Sequence, residues 1–121
     1  MKSQDRLAGM LGMAAKAGKL VYGCNLTVEK VRGSRPPYLV LIAADASENT
    51  KKRIRNCCIY YERTYRLLPP SMGQAALSHA TGRAGLISCV GVSDEGFSEA
   101  LRKLTDRREA PAEDTAGGRG I

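Results

Sequence analysis

Apolar positions along this chain alternate between helical spacing and short unbroken runs. Leu7, Met10, Leu11, Ala14 and Ala15 recur three or four residues apart, which predicts an amphipathic helix from Ser3 to about Ala17 with Gly18 as its stop. "KLVYG" follows as a short strand candidate. Gly23 then opens a second helix, with Leu26, Val28 and Val31 available for burial and Gly33 at its end. After the break at "RPP", the run Tyr38 to Ala44 has the length and continuity of a strand covered on both faces. Asp45 to Ser47 turns the chain, and Ser47 is the expected N-cap of a helix from Glu48 to about Cys58. "TYRLL" is a second clear strand, "PPS" a loop, and Met72 to about Thr81 a short helix. "GLISCVGV" is a third clear strand, followed by the helix "SDEGFSEALRKL", capped by Ser93 or Asp94.

Strands alternating with helices predict an α/β fold, a sheet between helical layers. At 121 residues one domain is expected, spanning residues 1–105. From Asp106 the apolar content is lost, and residues 106–121 are expected to form a disordered tail. No apolar run approaches the ~20 residues that a spanning helix requires, so no membrane partner is expected, and the start of the chain reads as a helix of the mature protein.

Charge narrows the function further. The net charge is +7, and the stretch from Lys16 to Arg66 carries all of it, with eleven basic residues against four acidic ones. A localised positive field favours a polyanionic partner and speeds its capture. The competing reading is a basic face kept for solubility.

Machinery for catalysis is thin. His79 is the sole histidine, and Asp45 has no second acid or imidazole beside it in sequence; as a turn former at a helix start it needs no catalytic role. "GRAG" and "GCNLTVEK" both lack the spacing of a phosphate-binding P-loop. Cys24, Cys57, Cys58 and Cys89 do not form a zinc-type C-x-x-C pattern and read as reduced thiols of a cytoplasmic protein. No enzyme activity, cofactor or metal is expected. A glycine followed by Asn25 at a helix start can still aim backbone N–H groups and a side-chain amide at a phosphate or base edge.

The order of the pieces is more specific than any one of them. "MLGMAAKAGKL", "YGCNLTVEKVR", "YLVLIAADASENTKKRI", "LPPSMGQAAL" and "GLISCVGVSDEGFSEAL" together resemble the kink-turn RNA-binding family of ribosomal proteins, close to its small bacterial YlxQ-like members. The resemblance runs from about Arg6 to Leu104. It implies a three-layer α-β-α sandwich around a small mixed four-stranded sheet, and a non-catalytic protein that binds a sharply bent RNA stem with tandem sheared G·A pairs. Its partners would be ribosomal or other kink-turn RNA, with ribosome or ribonucleoprotein components nearby, and the protein itself would be a monomer.

Carried over by matching positions, Gly23 permits close backbone approach and Asn25 contacts a sheared guanine. Lys30 and Arg32 meet phosphates or base edges, and Ala44 and Asp45 lie beside the bound strand. Leu68, Pro69 and Pro70 form the apolar loop over a flipped-out nucleotide. Apart from the resemblance, the basic helix residues Lys51, Lys52, Arg53 and Arg55 are expected to supply general RNA affinity, because phosphate contacts dominate it.

Two positions depart from the family pattern. Leu26 stands where an acid or amide is usual, and Glu29 where many members carry lysine. Each good bidentate base contact is worth roughly 1–3 kcal/mol of discrimination, so relaxed specificity is expected. The same departures favour the alternative, a protein-interaction module on this scaffold with little RNA specificity.

Overall fold

The computed structural model describes residues 3–106, with side chains from Arg6 to Thr105. Five helices and four strands alternate along the chain: α1 (Ser3–Lys16), β1 (Leu20–Tyr22), α2 (Cys24–Arg32), β2 (Leu39–Ile42), α3 (Glu48–Tyr60), β3 (Tyr65–Leu67), α4 (Gln74–Thr81), β4 (Cys89–Val92) and α5 (Glu95–Asp106). Residues 107–121, nearly all of the expected tail, lie outside the described residues.

The strands form one sheet in the order β1-β4-β2-β3. β2 and β3 are parallel, while β4 runs antiparallel to both of its neighbours, β1 and β2. α1 packs on α4 and α5 on one face, and α2 packs on α3 on the other. This is the α-β-α sandwich with a mixed four-stranded sheet. The two central strands are buried at every position, which explains why their sequences show no alternation. Leu7, Leu11, Leu77 and Leu101 close one side of the core, and Val28, Val31, Ile54 and Cys58 the other.

The predicted elements are recovered with shifted ends. The short fourth strand exists because three residues suffice to pair with β4, Leu20 facing Val92 and Tyr22 facing Val90. Ser47 caps α3, its Oγ accepting from the N–H of Thr50 at 3.1 Å. Of the two candidates for capping α5, Asp94 does so, accepting from Phe97 N–H at 2.9 Å. The Ser93 hydroxyl instead donates to the carbonyl of Lys19. α4 starts at Gln74, later than expected, because Met72 N–H closes a turn onto Pro69 O and Gly73 is extended at the N-cap. α3 runs on to Tyr60, which leaves Tyr60 and Tyr61 at the rim.

The end of the sheet that receives the helix starts is fixed by three hydrogen bonds. Gly23 N–H donates to Cys89 O at 2.9 Å, Ala43 N–H to Ser88 O at 2.8 Å, and Leu68 N–H to Ile42 O at 2.8 Å. Along this edge the order is therefore Gly23, the segment before β4, Ala43, then Leu68. With strands spaced ~4.8 Å apart, Gly23 and Leu68 stand roughly 14 Å apart.

Candidate nucleic-acid interface

α2 begins without a side-chain cap. Gly23 occupies the N-cap at φ 91°, a conformation costly for any residue with a Cβ, and no side chain accepts from the first turn. The Gly23 carbonyl accepts from Thr27 N–H, so the N–H groups of Cys24, Asn25 and Leu26 have no partner within the helix. Nothing lies within 4 Å of the position a Gly23 Cβ would occupy. The glycine thus serves backbone geometry and leaves open space outside it. Open donors and the positive end of the helix dipole suit an anion.

Asn25 is exposed and oriented. Its Oδ1 accepts from Arg53 Nη1 at 2.8 Å, and the same nitrogen reaches Cys24 Sγ at 3.4 Å. This contact joins α2 to α3 and holds the guanidinium over the first turn of α2. Lys30, Arg32, Lys52 and Arg55 are also exposed on these two helices, as are Leu26 and Glu29. The structure brings Asn25, Glu29, Arg32 and Arg53 together between α2 and α3, beside the helix start at Gly23, while Leu26, Lys30 and Lys52 are exposed on the same two helices.

Four of the five other candidates have structural work. Asp45 caps α4: its Oδ1 accepts from Gln74 N–H at 2.7 Å, and Gln74 Nε2 donates back to its carbonyl at 3.2 Å. A Cβ on Gly73 would meet that carboxylate at 2.8 Å, so glycine is required there for the cap to close. Ala44 is half-buried and donates its N–H to Met72 O. Leu68 is 2% exposed, in the core, and Pro69 is buried beside it; only Pro70 faces solvent. The expected apolar surface loop at Leu68 to Pro70 is thus corrected. β3 delivers these residues inward, at the edge of the sheet far from Gly23.

The loop that does adjoin α2 is residues 82–88, leading into β4. Arg83 stacks its guanidinium 4.2 Å above the ring of Tyr22, next to Gly23, and Leu86 is 70% exposed. Sequence reasoning misses this loop, because "GRAG" carries no phosphate-loop spacing and nothing else local marks it. Strand order, which decides its neighbour, has no local signal. Burial pushes the Cys57 thiol up, and those of Cys58 and Cys89 up to about 12 from 9.0, so none of the three is a ready thiolate. All four cysteines are free thiols.

No protein-family model matches the chain. The RNA-binding protein YlxQ of Bacillus subtilis (strain 168) is 35% identical over 97 residues, spanning 80% of this chain and 92% of the relative. The chain belongs to the YlxQ family. A second member, the RNA-binding protein YlxQ of Enterococcus faecium, is 30% identical over 104 residues, spanning 86% and 95%. Among solved structures, a protein of unknown function from Bacillus halodurans C superposes with a TM-score of 0.75 at 30% identity, over 83% of this chain and 96% of that one. The Giardia lamblia 15.5kD RNA binding protein shares the fold, with a TM-score of 0.66 over 88% of each chain at 15% identity.

Proposed function

We propose that this protein binds structured RNA without catalysing a reaction, and that within this class it takes a sharply bent stem containing tandem sheared G·A pairs. The observation that carries the reading is the glycine-led, uncapped start of α2, with Asn25 locked by Arg53 beside it. Both YlxQ relatives are named RNA-binding proteins, which supports the class. The net charge of +7 falls on the segment that builds α2 and α3.

In this reading the N–H groups of Cys24, Asn25 and Leu26 meet backbone phosphate. The Asn25 amide, its oxygen already taken by Arg53, donates to a purine edge. Lys30, Lys52 and Arg55 hold the flanking phosphates. The loop 82–88, with Leu86, replaces Leu68 to Pro70 as the apolar cover over an unstacked nucleotide.

Mapping the contact by NMR on the labelled full chain tests this placement. A bent-stem RNA should shift the amides of Gly23 to Lys30 and of Arg83 to Leu86, and leave Leu67 and Pro70's neighbour Ser71 unmoved. Shifts confined to the region of Leu67 to Ser71 would remove α2 from the interface.

A further inference from the structure

Beyond Asn25, an open groove of about 450 Å³ continues between α2 and α3. Asn25, Glu29 and Arg32 line it from one face of α2, at i, i+4 and i+7. Arg53 lines it from α3, and Tyr61 from the C-cap of that helix. Tyr61 is 36% exposed and stands edge-to-face with Tyr60, ring centroids 4.9 Å apart.

The charges in this groove are unspent. On α3, Glu48 pairs with Lys51 three residues on, and on α5 Glu99 pairs with Arg102 at the same spacing. Glu29 and Arg32 share that spacing, yet among the described residues neither makes an ion pair or side-chain hydrogen bond. Arg53 commits one nitrogen to Asn25 and Cys24 and keeps further donors of its fork. The groove thus offers two guanidinium groups, one acceptor-only carboxylate and one aromatic ring.

Those groups match one nucleotide. Guanidinium forks take phosphate oxygens. A tyrosine ring stacks an unpaired base. A carboxylate selects guanine, because only guanine among the four bases sets two donors, N1–H and N2–H, side by side on its Watson–Crick edge. We propose that the α2/α3 groove holds one unpaired guanine ribonucleotide of the bound RNA. Its base lies against Tyr61 and bonds Glu29, and its phosphate lies between Arg32 and Arg53. The proposal rests on the RNA-binding reading and turns Glu29 from a misfit near phosphate into a base-reading acceptor.

The test is an NMR titration of the labelled full chain with GMP, AMP, CMP, UMP and inorganic phosphate, run beside a bent-stem RNA with one unpaired G or A. GMP should shift Glu29, Arg32, Gly33 and Tyr61 saturably and bind about tenfold tighter than the other three, the worth of a bidentate base contact. RNA carrying the unpaired G should gain a similar factor over the A form. Glu29→Gln should erase the guanine preference in both assays, and Tyr61→Ala should weaken all four nucleotides; both residues are exposed, so the fold is kept. Equal binding of all nucleotides, or phosphate matching GMP, overturns the proposal. GMP binding while RNA affinity ignores the unpaired base assigns the groove to a free nucleotide and overturns the RNA source. RNA binding with no response to GMP sinks the groove alone. No binding of any RNA sinks the RNA reading with it.

Discussion

Arg53 Nη1 donates to Asn25 Oδ1 at 2.8 Å, linking two helices whose residues lie 28 positions apart. The bond fixes which end of the amide faces outward and places a guanidinium at the first turn of α2. Asn25→Ala should therefore weaken RNA binding by about 1–3 kcal/mol. Arg53→Met should weaken it as well, through a lost charge and a freed amide. Combined in a double-mutant cycle, the losses should be less than additive by at least ~0.5 kcal/mol. Strict additivity would show that the contact does not orient Asn25 for binding.

Lys52 and Arg55 are exposed and make no side-chain hydrogen bond or ion pair among the described residues. Lys52→Glu with Arg55→Glu should lower affinity for all RNAs alike and flatten the salt dependence, by about one unit of log–log slope for each phosphate no longer neutralised. A salt titration that keeps its slope would take these residues off the RNA path.

Asp45 serves the fold through its side chain. Its carboxylate caps α4, so Asp45→Ala should cost about 1 kcal/mol of stability, read from the denaturant midpoint. RNA affinity of the folded variant should be unchanged. A large loss of affinity at full stability would place Asp45 back at the interface.

Buried thiols give the fold an alkaline limit. Burial pushes Cys58 and Cys89 up to about 12 from an ordinary 9.0. The folded chain therefore keeps two protons that the unfolded chain releases above pH 9. Their stabilisation is complete below pH 9 and is lost as pH rises from 9 towards 12. The denaturant midpoint should fall between about pH 8 and about pH 10.5, and fall less in a Cys58→Ala, Cys89→Ala variant. An equal fall in both proteins would assign the alkaline loss to lysines and tyrosines instead.

Much of the fold is legible in the sequence because its signals are local. The spacing of Leu7, Leu11 and Ala14, the cap at Ser47 and the unbroken run around Leu39 to Ile42 each declare an element within a few residues. Gly23 and Asn25 are legible for the same reason. The rest needs tertiary order. No periodicity says that α3 packs on α2, so Arg53 is one of several basic residues until its contact with Asn25 fixes it. Nor does chain order reveal that β4, and not β3, pairs beside β1. That is why the family resemblance, carried over by matching positions, puts the apolar loop at Leu68 to Pro70 when residues 82–88 lie next to Gly23. Leu68 reads from the residues as the end of the strand "TYRLL" and enters the loop only through the family resemblance; its burial keeps it in the core.

The most direct measurement is affinity, titrated in salt, for three RNAs: a kink-turn stem, the same stem with its G·A pairs replaced by Watson–Crick pairs, and a plain duplex. The α2 site predicts tight binding to the first and at least a tenfold loss on the other two, the worth of one base contact. Equal affinity for all three, falling steeply and in parallel with salt, would contradict recognition of the bend and leave only a basic surface holding phosphate.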